Sequence, residues 1–140
     1  MKNVLATAVG LVVAYGITTV LESLGLALFP PKGGVEYINS VWLRDHITDL
    51  SLGAQLVVLL AHLLGIMGGM VIAAMISKSS LAPSLIVASF MLLAAFINFI
   101  LIRDLMKFMV FDLIVLGIGF YIGLQNSKKR ITQGPDDTVS

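Results

Sequence analysis

The sequence predicts an all-α integral membrane protein, in which four transmembrane helices form an up-down bundle with one long external loop. Three observations lead to this prediction. First, 58% of the 140 residues are hydrophobic, only 12% are charged, and the mean hydropathy is +0.99. Second, the apolar residues fall into four long blocks, and third, only one connection between blocks is long. Because a soluble domain is about half apolar and about a quarter charged, this chain lacks the polar surface that water requires.

The four blocks cover about residues 4–29, 53–76, 81–102 and 105–124. Each reaches the roughly 20 residues that a helix needs to cross about 30 Å of hydrocarbon. Backbone groups in lipid must be paired within the segment, which favours helices over a barrel. The first block is expected to be a span and not a cleaved signal peptide, because its apolar run is long and contains Glu22. Residues 1–126 are thus predicted to be a single transmembrane domain.

The connections between the blocks differ greatly in length. The long loop, residues 30–52, begins with a proline pair, and residues 36–50 are predicted to form a short interfacial helix anchored by Tyr37 and Trp42. Residues 77–83 are expected to form a tight turn, and only Arg103 and Asp104 separate the last two blocks. Residues 127–140 are predicted to be a polar C-terminal tail.

Charge suggests an orientation and a set of partners. Four crossings place both termini on one side, and the basic run at residues 128–130 directly follows the fourth block, so both termini are predicted to be cytoplasmic. The expected partners are the lipid bilayer and either a second copy of the chain or another membrane protein. A net charge of +1 provides no basic face for nucleic acid. The absence of cysteine excludes thiolate sites, and no cofactor and no metal ion are predicted.

Each block carries a polar residue in the half of the bilayer that faces the long loop. At 1.5 Å per residue, the depths from that end are about 10 Å for Glu22, 14 Å for His62, 6 Å for Asn98 and 10 Å for Asp112. A charged side chain left unpaired in lipid costs several kcal/mol, so these residues are expected to turn inward and pair. Glu22 and His62 are the expected partners.

This intramembrane polar cluster has three interpretations. Structural pairing between helices, at roughly 0.6 to 2 kcal/mol for each contact, is the leading one. Two carboxylates and an imidazole at one depth also suit a proton relay or a cation site, and catalysis is the third interpretation. Asp112 has the further option of pairing with Lys107 or Arg103 near the interface.

Small residues predict the helix-packing faces. The second block has such a row at every fourth position, and the fourth block has a glycine pair at the same spacing. Rows of this kind let two backbones approach closely in a membrane, and one of them is a candidate contact between copies of the chain. The residues are Ala61, Gly65, Gly69 and Ala73 in the second block, and Gly119 and Gly123 in the fourth.

Several stretches together resemble a group of uncharacterised four-span bacterial membrane proteins. They are Glu22 late in the first block, PPKG at 30–33, AHLLGIMGG at 61–69 followed by IAAMI, and Asn98 late in the third block. The chain departs from that pattern after Asn98, where such proteins often have a proline-rich turn. The resemblance implies the same four-span architecture in the bacterial inner membrane, and it carries no established activity.

Two functional hypotheses follow. The leading one is a non-enzymatic membrane protein that acts as a homo-oligomer or as an accessory subunit of a membrane complex. The alternative is a small proton- or cation-conducting transporter that uses Glu22, His62 and Asp112. No phosphate-binding loop, metalloprotease histidine pair or nucleophile elbow occurs in the sequence, so an enzyme acting on lipid or quinone is a distant third.

Overall fold

The computed structural model describes residues 1–30, 50–101 and 106–132, and within these ranges the chain is all-helical. Tyr37, Trp42 and nearly all of the predicted interfacial segment lie outside the described residues, as does the side chain of Asn98. The four helices are α1 (Lys2–Leu28), α2 (Leu52–Ser77), α3 (Ala82–Leu101) and α4 (Met106–Thr132).

Three of these helices are long and apolar enough to cross a membrane, namely Lys2–Leu28, Leu52–Ser77 and Lys107–Ile131. Within α3, the described stretch Ala82–Ile97 is a shorter apolar helix. Helix α4 continues to Thr132, so the first part of the predicted polar tail is helical. The physical reason is local, because the sequence has no glycine or proline between Gly123 and Gly134, and Lys129 and Arg130 suit the negative end of the helix dipole.

Local signals fix both ends of α2. At its start, the hydroxyl of Ser51 accepts a hydrogen bond of 3.3 Å from the N–H of Ala54 and caps the helix. At its end, Lys78 adopts a left-handed conformation with φ of 59°, and its N–H donates to the carbonyl of Ala74. That conformation costs a residue other than glycine about 1 kcal/mol, and it reverses the chain within the short turn to α3.

Consecutive helices run in opposite directions. Asn3 near the start of α1 contacts Ser77 at the end of α2, and Gly25 near the end of α1 lies against Val57 near the start of α2. We call the end of the bundle around residues 25–29, 50–58 and 106–109 the loop-facing end. The end around residues 3, 77, 84 and 127 is called the terminal end.

Helix α2 lies at the centre and packs closely against α1 along a seam of small residues. A Cβ added at Gly69 would lie 2.6 Å from the Cβ of Ala14 and 2.7 Å from the carbonyl oxygen of Gly10. Gly65 faces Thr18 so closely that a Cβ there would collide with the threonine hydroxyl. The buried residues of this seam are Ala6, Gly10, Ala14 and Thr18 of α1, and Ala61, Gly65, Gly69 and Ala73 of α2.

The glycine pair of α4 packs on the other flank of α2. A Cβ at Gly119 would lie 2.7 Å from Ile66 Cγ2, and one at Gly123 would lie 2.8 Å from Met70 Sδ. Both rows of small residues are therefore occupied within a single chain. The expectation that one of them serves contact between copies finds no support in this packing.

Helix α3 closes the bundle at the terminal end. Val87 is fully buried against the α1–α2 seam, and the Ser84 hydroxyl donates a 2.8 Å hydrogen bond to the carbonyl of Met70. A second apolar cluster joins α2, α3 and α4, and its buried members are Ile66, Met70, Ala88, Ala95 and Leu116.

Candidate functional site

The structure brings three of the predicted polar residues together at the loop-facing half of the bundle. His62 of α2 lies between two carboxylates that come from different helices. Its Nδ1 is 2.6 Å from Oδ1 of Asp112 on α4, and its Nε2 is 3.3 Å from Oε1 of Glu22 on α1. We call these three residues the acid–histidine–acid triad.

The same small residues that pack the helices also position the triad. Glu22 is one turn beyond Thr18, so it continues the row of α1 residues that faces α2. His62 follows Ala61 of the α2 row. On α4, Asp112 is seven residues before Gly119 and shares its helix face. Close backbone approach at the seam therefore carries all three side chains to one place.

The three side chains are buried to different extents. Asp112 is 5% exposed, whereas His62 and Glu22 are 21% and 24% exposed. The shorter contact is the one with the more buried acid, so Asp112 is the principal partner of His62, although the sequence favoured Glu22. The alternative in which Asp112 pairs with Lys107 is wrong, because Asp112 pairs with His62 and Lys107 is exposed. Arg103 lies outside the described residues.

The two contacts of His62 differ in kind. The contact of Nδ1 with Asp112 is a hydrogen bond, whereas the contact of Nε2 with Glu22 lies at ion-pair distance. An imidazolium carries an N–H on both nitrogens and attracts both carboxylates, whereas a neutral imidazole has a single N–H.

The two carboxylates of the triad do not converge on one point. The two carboxylates contact opposite nitrogens of one ring, so their oxygens lie on different sides of the imidazole. A metal site needs its ligand atoms to converge on one point. Among the described residues, no group of three or more His, Cys, Asp or Glu side chains is placed to hold a metal ion.

Sequence reasoning missed two sets of residues. The α1 row at positions 6, 10, 14 and 18 has the same spacing as the predicted α2 row, and that spacing was the signal for it. The second set is hydroxyls, because Ser84 and Ser127 are fully buried near the terminal end, whereas Ser89 is exposed and donates to its own helix. Ser127 Oγ has no hydrogen-bond partner within the described part of the chain.

Comparison with known proteins adds no relative. No protein-family model, curated protein or solved structure matches this chain.

Proposed function

We propose that this protein is a small, non-enzymatic, four-span membrane protein that binds and passes protons through the acid–histidine–acid triad. The four-span arrangement rests on three helices of sufficient length and on α3, whose 20 residues extend for about 30 Å. The helices alternate in direction, so the start of α1 and the end of α4 lie at the terminal end. The basic residues after α4 favour the cytoplasm for that end, in a bacterial inner membrane.

The observation that carries this proposal is the placement of both imidazole nitrogens against carboxylates, at 2.6 and 3.3 Å. A carboxylate, an imidazole and a second carboxylate in series pass a proton from one group to the next. The imidazole takes part without a large movement of its side chain. In this proposal a proton enters the triad at Glu22 and His62, which are partly exposed, and Asp112 forms its buried end.

The packing beyond the triad closes the route between α1 and α2. Between Thr18 and the terminal end, Gly10 and Ala14 lie directly against Gly69. A proton that follows the α1–α2 seam can cross this layer only when the two helices separate. A change of charge at the triad is suited to controlling that separation, because the triad joins α1, α2 and α4.

The test is proton flux into liposomes that contain a pH-sensitive dye, with the membrane potential clamped by potassium and valinomycin. Wild-type protein is expected to accelerate acidification of the lumen, and His62→Phe is expected to return the rate to that of empty liposomes. Ser89→Ala is the matched control, since that hydroxyl is exposed and bonds only its own helix. Equal rates for wild type and His62→Phe, or no flux in either, would contradict the proposal.

A second candidate is a homo-oligomer or an accessory subunit of a membrane complex. The observation that favours it is the same exposure of about a quarter of Glu22 and His62, because a charged group left facing lipid is costly. A neighbouring protein surface with a hydrogen-bond donor would cover them. Native mass spectrometry from a gentle detergent tests this candidate. We expect it to show a stable assembly that Glu22→Ala weakens, and a strictly monomeric chain with no co-purifying protein would count against it.

A further inference from the structure

A groove with a volume of about 540 Å³ lies between α2 and α4, away from the triad and toward the terminal end. Its α2 side is apolar, and its α4 side carries an amide and two basic side chains. The lining residues are Met67, Gly68 and Val71 of α2, and Asn126, Lys129 and Arg130 of α4.

The two sides of the groove also differ in depth. Lys129 and Arg130 lie in the last turn of α4, where basic side chains meet lipid headgroups. Val71 lies about 9 Å and Met67 about 15 Å from the end of α2, so both lie deeper in the bundle than Lys129 and Arg130. The groove therefore passes from a cationic mouth at the membrane surface to an apolar floor at the depth of acyl chains. A phospholipid matches this order, because its charged phosphate lies at the membrane surface and its acyl chains lie deeper.

We propose that this groove binds one anionic phospholipid. Its phosphate lies between the side chains of Lys129 and Arg130, with the Asn126 amide as a further donor, and an acyl chain lies along Met67 and Val71. The guanidinium of arginine matches two phosphate oxygens at once, and basic pockets between transmembrane helices are suited to acidic headgroups. A lipid held there fixes the end of α4 at the level of the headgroups.

The test is native mass spectrometry of the detergent-solubilised protein with added phosphatidylglycerol or phosphatidylcholine of identical acyl chains. Wild type is expected to retain phosphatidylglycerol preferentially. The double variant Lys129→Gln with Arg130→Gln is expected to lose affinity for it by roughly 30-fold, because each cation near a headgroup contributes about fivefold. Lys128→Gln removes an adjacent charge that does not line the groove, so it should retain most of the affinity.

A second variant tests the apolar half without altering charge. Val71→Trp fills the floor of the groove and should lower retention of phosphatidylglycerol, whereas Val12→Trp, on an exposed face of α1, should not. Circular dichroism at 222 nm confirms that each variant remains helical. Equal retention of the two lipids by wild type would overturn the proposal. So would wild-type retention of phosphatidylglycerol by the double variant and by Val71→Trp alike. Displacement of the lipid by inorganic phosphate alone would also overturn it, because the site would then bind free phosphate.

Discussion

The two halves of the bundle hold α1 and α2 together by different interactions. At the loop-facing half, helices α1, α2 and α4 are joined by ionisable side chains that neutralise part of each other's charge. At the terminal half, the same α1 and α2 are joined by small residues and backbone contact, and Ser84 adds a hydroxyl bond to a carbonyl. The small-residue seam and the triad follow one another along the faces of α1 and α2 that contact each other.

This difference shows where an intramembrane charge is tolerated. In lipid the hydrophobic effect does not drive helices together, so van der Waals packing and hydrogen bonds must supply the association energy. A seam of small residues brings the helix axes close without any charge. The triad lies where that seam ends, so the charged groups are held at short distance by packing that they do not themselves provide.

The largest effect is expected from removing the buried acid of the triad. Asp112→Ala removes the buried 2.6 Å partner of His62 and should lower the free energy of unfolding by about 3 kcal/mol, the low end for a broken buried ion pair, because Glu22 still lies 3.3 Å from the ring. Unfolding in sodium dodecyl sulfate, followed by circular dichroism, measures it. The triple variant Glu22→Leu, His62→Leu and Asp112→Leu removes all three ionisable groups and should cost less than Asp112→Ala. If the single change is nearly neutral, the ionic half does not hold the bundle together.

A smaller effect is expected from enlarging a glycine in the seam. Gly65→Ala places a methyl group against the hydroxyl of Thr18 and should destabilise the bundle by about 1 to 3 kcal/mol. Gly16→Ala is the matched control, because nothing lies within 4 Å of a Cβ there. The control should be neutral or stabilising by up to about 1 kcal/mol, since alanine is the better helix former. Equal effects of the two changes in the same unfolding assay would show that the seam is loosely packed.

Two buried serines at the terminal half allow a finer comparison. Ser84→Ala removes a 2.8 Å bond to the carbonyl of Met70 and should cost about 1 kcal/mol. Ser127→Ala removes a hydroxyl that has no partner among the described residues, so it should leave stability unchanged or raise it. Thermal unfolding in detergent ranks the two variants against wild type. A greater loss for Ser127→Ala than for Ser84→Ala would reverse this account of the terminal half.

The smallest loss of stability is expected at Thr18, where the seam meets the triad. Its hydroxyl donates to Ala14 in its own helix at 3.0 Å and lies 3.4 Å from the carbonyl oxygen of Ala61 in α2. Thr18→Val preserves the shape and should cost about 0.6 kcal/mol, which is typical of polar contacts between membrane helices. The same unfolding assay measures the change, and Ser89→Ala, at an exposed site, is the control. A loss comparable to that of Asp112→Ala would place Thr18 within the ionic unit.

The sequence predicted much of this arrangement, for identifiable physical reasons. Hydropathy placed the helices because segment length is tied to membrane thickness, and counting residues from each helix end put Glu22, His62 and Asp112 at a common depth. Depth alone does not give the rotation of each helix about its axis. That rotation decided that His62 pairs most closely with Asp112 and that Gly119 packs against α2. Helix α4 continues past the predicted span to Thr132, because polar side chains mark the end of the membrane-spanning segment and not the end of the helix.

The central claim is that His62 joins Glu22 and Asp112 as one unit within the membrane. Solid-state NMR on protein in lipid bilayers tests it most directly, using ¹⁵N-labelled histidine, ¹³C-labelled carboxyl groups, and His46→Ala so that His62 is the remaining histidine. The account predicts dipolar contacts from Nδ1 to the Asp112 carboxyl carbon and from Nε2 to the Glu22 carboxyl carbon. Each contact should disappear in the corresponding Asp112→Ala or Glu22→Ala protein. A helical protein in which neither ring nitrogen is near a carboxyl carbon would contradict the account.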